Sequence, residues 1–306
     1  NIYLFPATLN NFQLAQINTI TGSGASDAVF LFGDKTKYGF FLEDNSRMID
    51  MAWGNGSMGV LVGLDMNSET ADDGTGKTAD LGDMTINAAF GQTLGFGDLG
   101  VSFEMASDDG ASTEATDDES EMTIGLNLRR NQSLWVFEGI LVGFEMVTGS
   151  QDKATWSTMG LSLDLFNHWG LGSGTDLLFA LGFGFASESS NSGVSGANDV
   201  KSTTMLFPKS TVAVETAITD WATARAGVTN NHTLSNSEDD GAGADNSVTG
   251  SNGDSDFAAT FGLGFDYGGF TLDMVINPGF YTDPVSHITG FNDSSLGYAA
   301  SITYAW

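Results

Sequence analysis

The sequence predicts an all-β fold, a transmembrane antiparallel up-and-down β-barrel of sixteen strands, and three observations carry that prediction. Apolar residues recur at every second position over runs of about ten residues, the repeat of a pleated strand whose side chains point alternately to opposite faces. The polar connections between these runs alternate between short and long. The 306-residue chain is 41% hydrophobic, yet it has no run of about 18 apolar residues of the kind a membrane-crossing helix requires. A barrel strand needs only alternate residues to be apolar.

The strands follow in order. Phe12–Ile20 is the first and alternates poorly. Asp27–Gly33, Thr36–Glu43 and Arg47–Trp53 are short; if two of them formed a local excursion, the count would fall to fourteen. Met58–Asn67 aligns Met58, Val60, Val62, Leu64 and Met66 on one face. Met84–Leu94, Leu99–Ser107, Met122–Arg129 and Leu134–Val147 continue the pattern. In the last of these Glu138 breaks the phase, and a β-bulge at Glu138-Gly139 would keep both apolar sets outward and the carboxylate away from lipid. Thr155–Phe166, Asp176–Ser187, Lys201–Ala217, Trp221–Leu234, Phe257–Tyr267 and Phe270–Phe280 come next. The chain closes on Leu296–Trp306, with Leu296, Tyr298, Ala300, Ile302, Tyr304 and Trp306 on one face and small residues on the other.

Short turns are expected at 54–57, 95–98, 130–133, 167–174, 218–220 and 267–269. Long loops are expected at 68–83, 108–121, 148–154, 188–200, 235–256 and 281–295. Trp53, Trp135, Trp169, Trp221 and Trp306, with Tyr304, fall at short-turn ends, as an interfacial aromatic girdle would; only Trp156 falls at a long-loop end. The formal net charge of −29 excludes nucleic acid as an expected partner. Its clustering marks solvated loops: 108–121 carries seven acids and no base, and 235–256 carries six acids and no base. The absence of cysteine removes disulfides and thiolate metal sites.

The closing strand, ending on Tyr304-Ala305-Trp306, resembles the last strand of Gram-negative outer-membrane β-barrels, where a C-terminal aromatic forms part of the assembly signal. That resemblance implies an outer-membrane location among lipid and lipopolysaccharide, with short turns periplasmic, long acidic loops extracellular and a secretion leader removed before Asn1. The architecture over most of the chain resembles porins. The lead-in Asn1-Ile2-Tyr3-Leu4-Phe5-Pro6-Ala7 is similar to the element before the first strand in barrels of the long-chain fatty-acid transporter type, which implies an N-terminal segment folded into the lumen. Residues 1–10 are thus expected as a periplasmic or lumenal segment and 11–306 as the barrel.

The phase opposite to the apolar one supplies the lumen. Its charged members are Lys37, Glu43, Asp50, Asp65, Glu104, Arg129, Glu145, Asp164, Lys209, Glu215, Arg225, Asp266 and Asp273. The expected pore-lining set is Lys37, Asp65, Glu104, Arg129, Asp164, Lys209, Glu215, Arg225 and Asp273. Glu215 and Arg225 are equidistant from Asp220 and should face each other across a hairpin as an ion pair. Asp239, Asp240, Asp245 and Asp254 are candidate Ca²⁺ ligands in a loop without the ordered spacing of an EF-hand. No other cofactor is expected. The spacing of His168, His232 and His287 singles out no catalytic group, so the chain is not expected to be an enzyme.

The expected function is passive, cation-preferring diffusion of small hydrophilic solutes through a water-filled lumen. A hydrophobic-substrate transporter would instead plug the lumen with residues 1–10 and place an apolar pocket near Phe41, Phe166 or Phe207. A barrel-anchored surface protein would work through its acidic loops, binding partner proteins or Ca²⁺. A homo-oligomer is compatible with each.

Overall fold

The computed structural model of the chain describes residues 2–20, 26–42, 49–72, 78–109, 118–130, 132–196, 198–239, 255–276 and 298–306. A 3₁₀ segment, Pro6–Asn11, precedes the strands. These are β1 (Leu14–Ile20), β2 (Ser26–Gly33), β3 (Lys37–Leu42), β4 (Ile49–Gly54), β5 (Met58–Asp72), β6 (Thr78–Leu94), β7 (Gly97–Asp108) and β8 (Glu119–Arg130). They continue as β9 (Gly139–Gln151), β10 (Ala154–Gly172), β11 (Thr175–Asn191), β12 (Val200–Thr219), β13 (Ala222–Asp239), β14 (Ser255–Tyr267), β15 (Phe270–Ile276) and β16 (Tyr298–Ala305). Each strand pairs antiparallel with its sequence neighbour, and β1 pairs with β16 from Leu14↔Ala305 to Ile20↔Ala299. The sixteen strands therefore form a closed barrel with no free edge, and the fourteen-strand alternative is excluded.

Register carries one face through the whole wall. Val62, Leu64 and Met66 on β5, Val101, Phe103 and Met105 on β7, Met159, Leu161 and Leu163 on β10, and Ile302 and Tyr304 on β16 are large, apolar and exposed. Their in-register partners share that face. In a closed wall only the convex side can expose so much apolar surface while the other side buries Leu31, Phe41, Asp50, Leu61 and Asn87. A continuous apolar belt on a closed sheet with a small and polar interior is the architecture of an outer-membrane β-barrel, because lipid offers no partner for an unpaired strand edge.

The structure corrects several expected boundaries. The β8–β9 connection spans 131–138 rather than 130–133. Leu134 and Phe137 exchange backbone hydrogen bonds at 2.8 and 3.0 Å, so Leu134–Glu138 is a tight turn and not the start of a strand. No bulge is needed at Glu138-Gly139: Glu138 lies before β9, and its carboxylate accepts a hydrogen bond from the His168 backbone N–H at 2.9 Å. Conversely, 167–172 belongs to β10. Ser173 and Gly174 alone make the β10–β11 turn, both with positive φ (55° and 70°), the two-residue geometry that matches the twist of a hairpin. The expected loop 148–154 shrinks to Asp152 and Lys153. Ser-, Thr- and Asn-rich stretches such as 187–191 and 235–239 stay in the ladder, since solvated polar strands keep their backbone bonds once a long neighbour is available.

The aromatic girdle residues gather at one end. Trp53 closes β4, Trp169 lies near the end of β10, and Trp221 stacks on Phe265 at 6.0 Å beside the β12–β13 turn. Tyr304 packs on Phe270 at 4.6 Å and on Trp306 at 5.8 Å. Trp135 sits at the same end but in the 131–138 turn, 91% exposed and with φ 56°.

Candidate functional site: the inner wall and its N-terminal occupant

The residues before β1 lie inside the barrel against β3 to β7. Phe5, Pro6, Ala7, Thr8 and Leu9 are all buried there, and Leu9 packs with Leu31, Phe41, Ala52, Leu61 and Ala89. Tyr3 meets the Phe41 ring at 5.3 Å. The seat is a row of glycines joined by register across four strands, Gly54↔Gly59, Gly59↔Gly91 and Gly91↔Gly100. A Cβ on Gly91 would lie 2.6 Å from the Ala7 nitrogen, and one on Gly54 would lie 2.7 Å from Asn10 Oδ1. On Gly59 and Gly100 it would overlap the backbone carbonyls of Pro6 and Leu4. The side-chain-free row lets backbone lie on backbone. Asn10 fastens the far end: its Nδ2 donates to the Ala7 and Met58 carbonyls at 2.8 and 3.2 Å, and its Oδ1 accepts from the Gly56 N–H at 2.8 Å.

The inward bases are held. Arg129 pairs with Asp98, its in-register neighbour on β7, through Nη2 at 2.6 Å and Nε at 3.1 Å to one oxygen. Thr93 donates to the other oxygen at 2.8 Å, and the guanidinium lies 5.1 Å over the Phe5 ring. The wall is thereby tied to the N-terminal segment. Lys209 and Asp164 meet at 3.6 Å across an intervening strand, where Gly182 stands between them. A Cβ on Gly182 would occupy the position of the Asp164 carboxylate. Arg225 pairs with Glu215 at 2.5 Å as hairpin arithmetic predicts, and also with Asp273 two strands away, over Gly264. Lys37 is buried and donates to the Gly33 carbonyl at 2.7 Å and to Gln13 at 3.2 Å.

Of the expected pore-lining set, Lys37, Asp65, Glu104, Arg129, Asp164, Lys209, Glu215, Arg225 and Asp273 all occupy inward register positions. They do not form one cluster. Glu215, Arg225 and Asp273 line a cavity of about 410 Å³ with His168 and Asp176, whose side chains are 3.7 Å apart. His168 thus faces inward from a strand and is not a turn residue. Asp65 and Glu104 lie on the β5–β7 side. Asp98, which the sequence pattern assigned to a turn, is the residue that reading missed; its spacing to Arg129 becomes informative only with the β7–β8 register. Phe41, Phe166 and Phe207 lie on β3, β10 and β12 and share no pocket among the described residues. Asp239 ends β13 opposite Lys201, while Asp240, Asp245, Asp254, Glu43 and His287 fall outside the described residues.

No protein-family model matches the chain, and no curated protein matches it. Among solved structures, the barrel is similar to the copper transporter OprC at 10% identity and a TM-score of 0.47, over 87% of this chain and 46% of that one. The chain thus spans less than half the length of OprC. It is similar to OmpT, an outer membrane protein of Vibrio cholerae, at 11% identity over 96% and 95% of the two chains, with a TM-score of 0.39. It is likewise similar to a porin refined at 1.8 Å, at 10% identity over 96% and 99%, with a TM-score of 0.41.

Proposed function

We propose that the barrel is a porin-like channel for passive diffusion of small hydrophilic solutes, with a preference for cations. The observation that carries this reading is the charge balance of the inner wall. Arg129, Lys209 and Arg225 are each neutralised by a carboxylate in contact and Lys37 is buried on the neutral acceptors Gly33 and Gln13, whereas Asp65, Glu145 and Asp266 face inward without a basic partner among the described residues and outnumber that one lysine. The field left over in the lumen is negative, and low-dielectric walls focus it, so cations are enriched and anions repelled. Beside the N-terminal segment, Ser102, Gly125, Asn127, Gly143, Gly160, Ser162 and Gly184 line a cavity of about 350 Å³ that Leu4 also borders, which leaves space and polar contacts for a hydrated solute. The reading involves no bond-making step. Planar-bilayer recording tests it: steady ohmic current with a cation-preferring reversal potential in a KCl gradient is the expected result. Silence, or anion preference, overturns it.

The N-terminal occupant favours a second reading, a gated transporter of hydrophobic substrates. None of Phe41, Phe166 and Phe207 lines the cavities described above, which speaks against it. Uptake of a radiolabelled fatty acid by cells carrying the barrel, without ion conductance, would favour this alternative.

A further inference from the structure

We propose that Glu145 is the residue that sets cation preference, acting where two cavities of the inner wall meet beside Leu4 of the N-terminal segment. The inference rests on the channel reading above and names the position at which solutes are selected.

Glu145 is the seventh of the thirteen residues of β9, and so lies midway along its strand. It faces inward, in register with Gly125 on β8 and Gly160 on β10. Both flanking positions lack side chains; a Cβ on Gly160 would meet nothing within 4 Å, while the Ser102 hydroxyl lies over Gly125. The wall is therefore bare on the β10 side of the carboxylate. It is exposed, and among the described residues it makes no hydrogen bond or ion pair. The acids of the neighbouring wall behave differently. Asp98, Asp164, Glu215 and Asp273 are each held by a base.

The position is also a junction. Two cavities, of about 350 and 570 Å³, share three lining residues: Leu4, Ser102 and Glu145. Leu4 is 38% exposed although Phe5 to Leu9 beside it are buried, so the N-terminal segment presents an exposed apolar side chain to this junction. A solute moving between the cavities therefore passes along Glu145. A single unneutralised carboxylate there attracts potassium or a small ammonium-bearing organic solute and repels anions. A unit charge about 6 Å from a permeating ion in water changes its local concentration about threefold.

The test is ion selectivity in planar bilayers with the full chain. Because the charge enriches potassium and depletes chloride each about threefold, Glu145→Gln is expected to lower the potassium-to-chloride permeability ratio about tenfold. Glu119→Gln, which removes the same charge from the exposed start of β8, is expected to leave the ratio within error. Because the protein has no cysteine, Glu145→Cys gives a single reactive position. An anionic methanethiosulfonate should restore cation preference there, and a cationic one should push selectivity toward chloride. Equal effects of the Glu145 and Glu119 substitutions, or a thiol at 145 that neither reagent reaches, would overturn the proposal while leaving the channel intact. A wild-type barrel that passes no current would overturn the channel reading and the role of Glu145 together.

Discussion

Replacing Gly59 and Gly91 together by alanine should unseat the N-terminal segment while leaving the barrel closed. Burial of Phe5 and Leu9 contributes about 3–6 kcal/mol to docking, and the entropy lost on ordering the segment offsets much of it, so the net is on the order of a few kcal/mol. A methyl group on either glycine meets backbone atoms of Pro6 and Ala7 and no flexible side chain, so the segment itself has to move. Overpacking of that kind costs about 1–3 kcal/mol per site. One substitution therefore leaves docking favourable, and two bring it close to balance. The assay uses Thr8→Cys, a conservative probe at a buried position in a chain without other thiols. In the parent background the thiol should be protected from a membrane-impermeant maleimide in detergent; either alanine alone should raise the labelling rate modestly. The pair should raise it by roughly 10²-fold, since each 1.4 kcal/mol is a factor of ten. Retention of the heat-modifiable gel shift of a folded barrel separates undocking from unfolding. Full protection of the probe in the double variant, with the barrel intact, would refute the argument that the glycine row is the seat.

Asn10→Ala removes three hydrogen bonds that fasten the same segment and should weaken docking by about 1–3 kcal/mol, read by the same thiol probe. Arg225→Met leaves Glu215 and Asp273 without their shared base; the three side chains are one-third to one-half exposed, so stability should fall by no more than about 1 kcal/mol while cation preference rises. Leu163→Arg on the apolar face of β10 should cost about 2–4 kcal/mol at mid-membrane depth and reduce folding yield into lipid vesicles. Ser162→Arg, one residue away on the inner face, should fold normally, and equal yields from the two would refute the assignment of faces.

The face of most long strands could be read in the sequence because the pleat repeats every two residues; β12 is different, since its phase changes between Leu206 and Lys209. Leu161, Leu163 and Leu165 against Ser162 and Asp164 need no tertiary information. The same local arithmetic places Glu215 opposite Arg225, since a hairpin partner is determined by counting from its own turn. Strand ends were less legible. Polar residues such as 187–191 look like loop, and whether they stay paired depends on the length of the strand beside them. The Leu134–Glu138 turn was hidden because Trp135 and Phe137 imitate strand alternation.

What belongs to the tertiary structure is everything set by register between strands distant in sequence. Gly54, Gly59, Gly91 and Gly100 form one row only when four strands align, and only then does the row become a seat for Pro6 and Ala7. The pairs Lys209–Asp164 and Arg225–Asp273 each reach over a glycine of an intervening strand, a relation that no count along the chain reveals. The sequence by itself determined a two-faced wall of sixteen or fourteen strands, because side-chain direction in a strand is a local property, and the pairing of every strand decided for sixteen. Closure of that wall decided which inner side chains meet, because ladder hydrogen bonds set the offset of each strand against the next, and hence where the interior is filled and where it is left open.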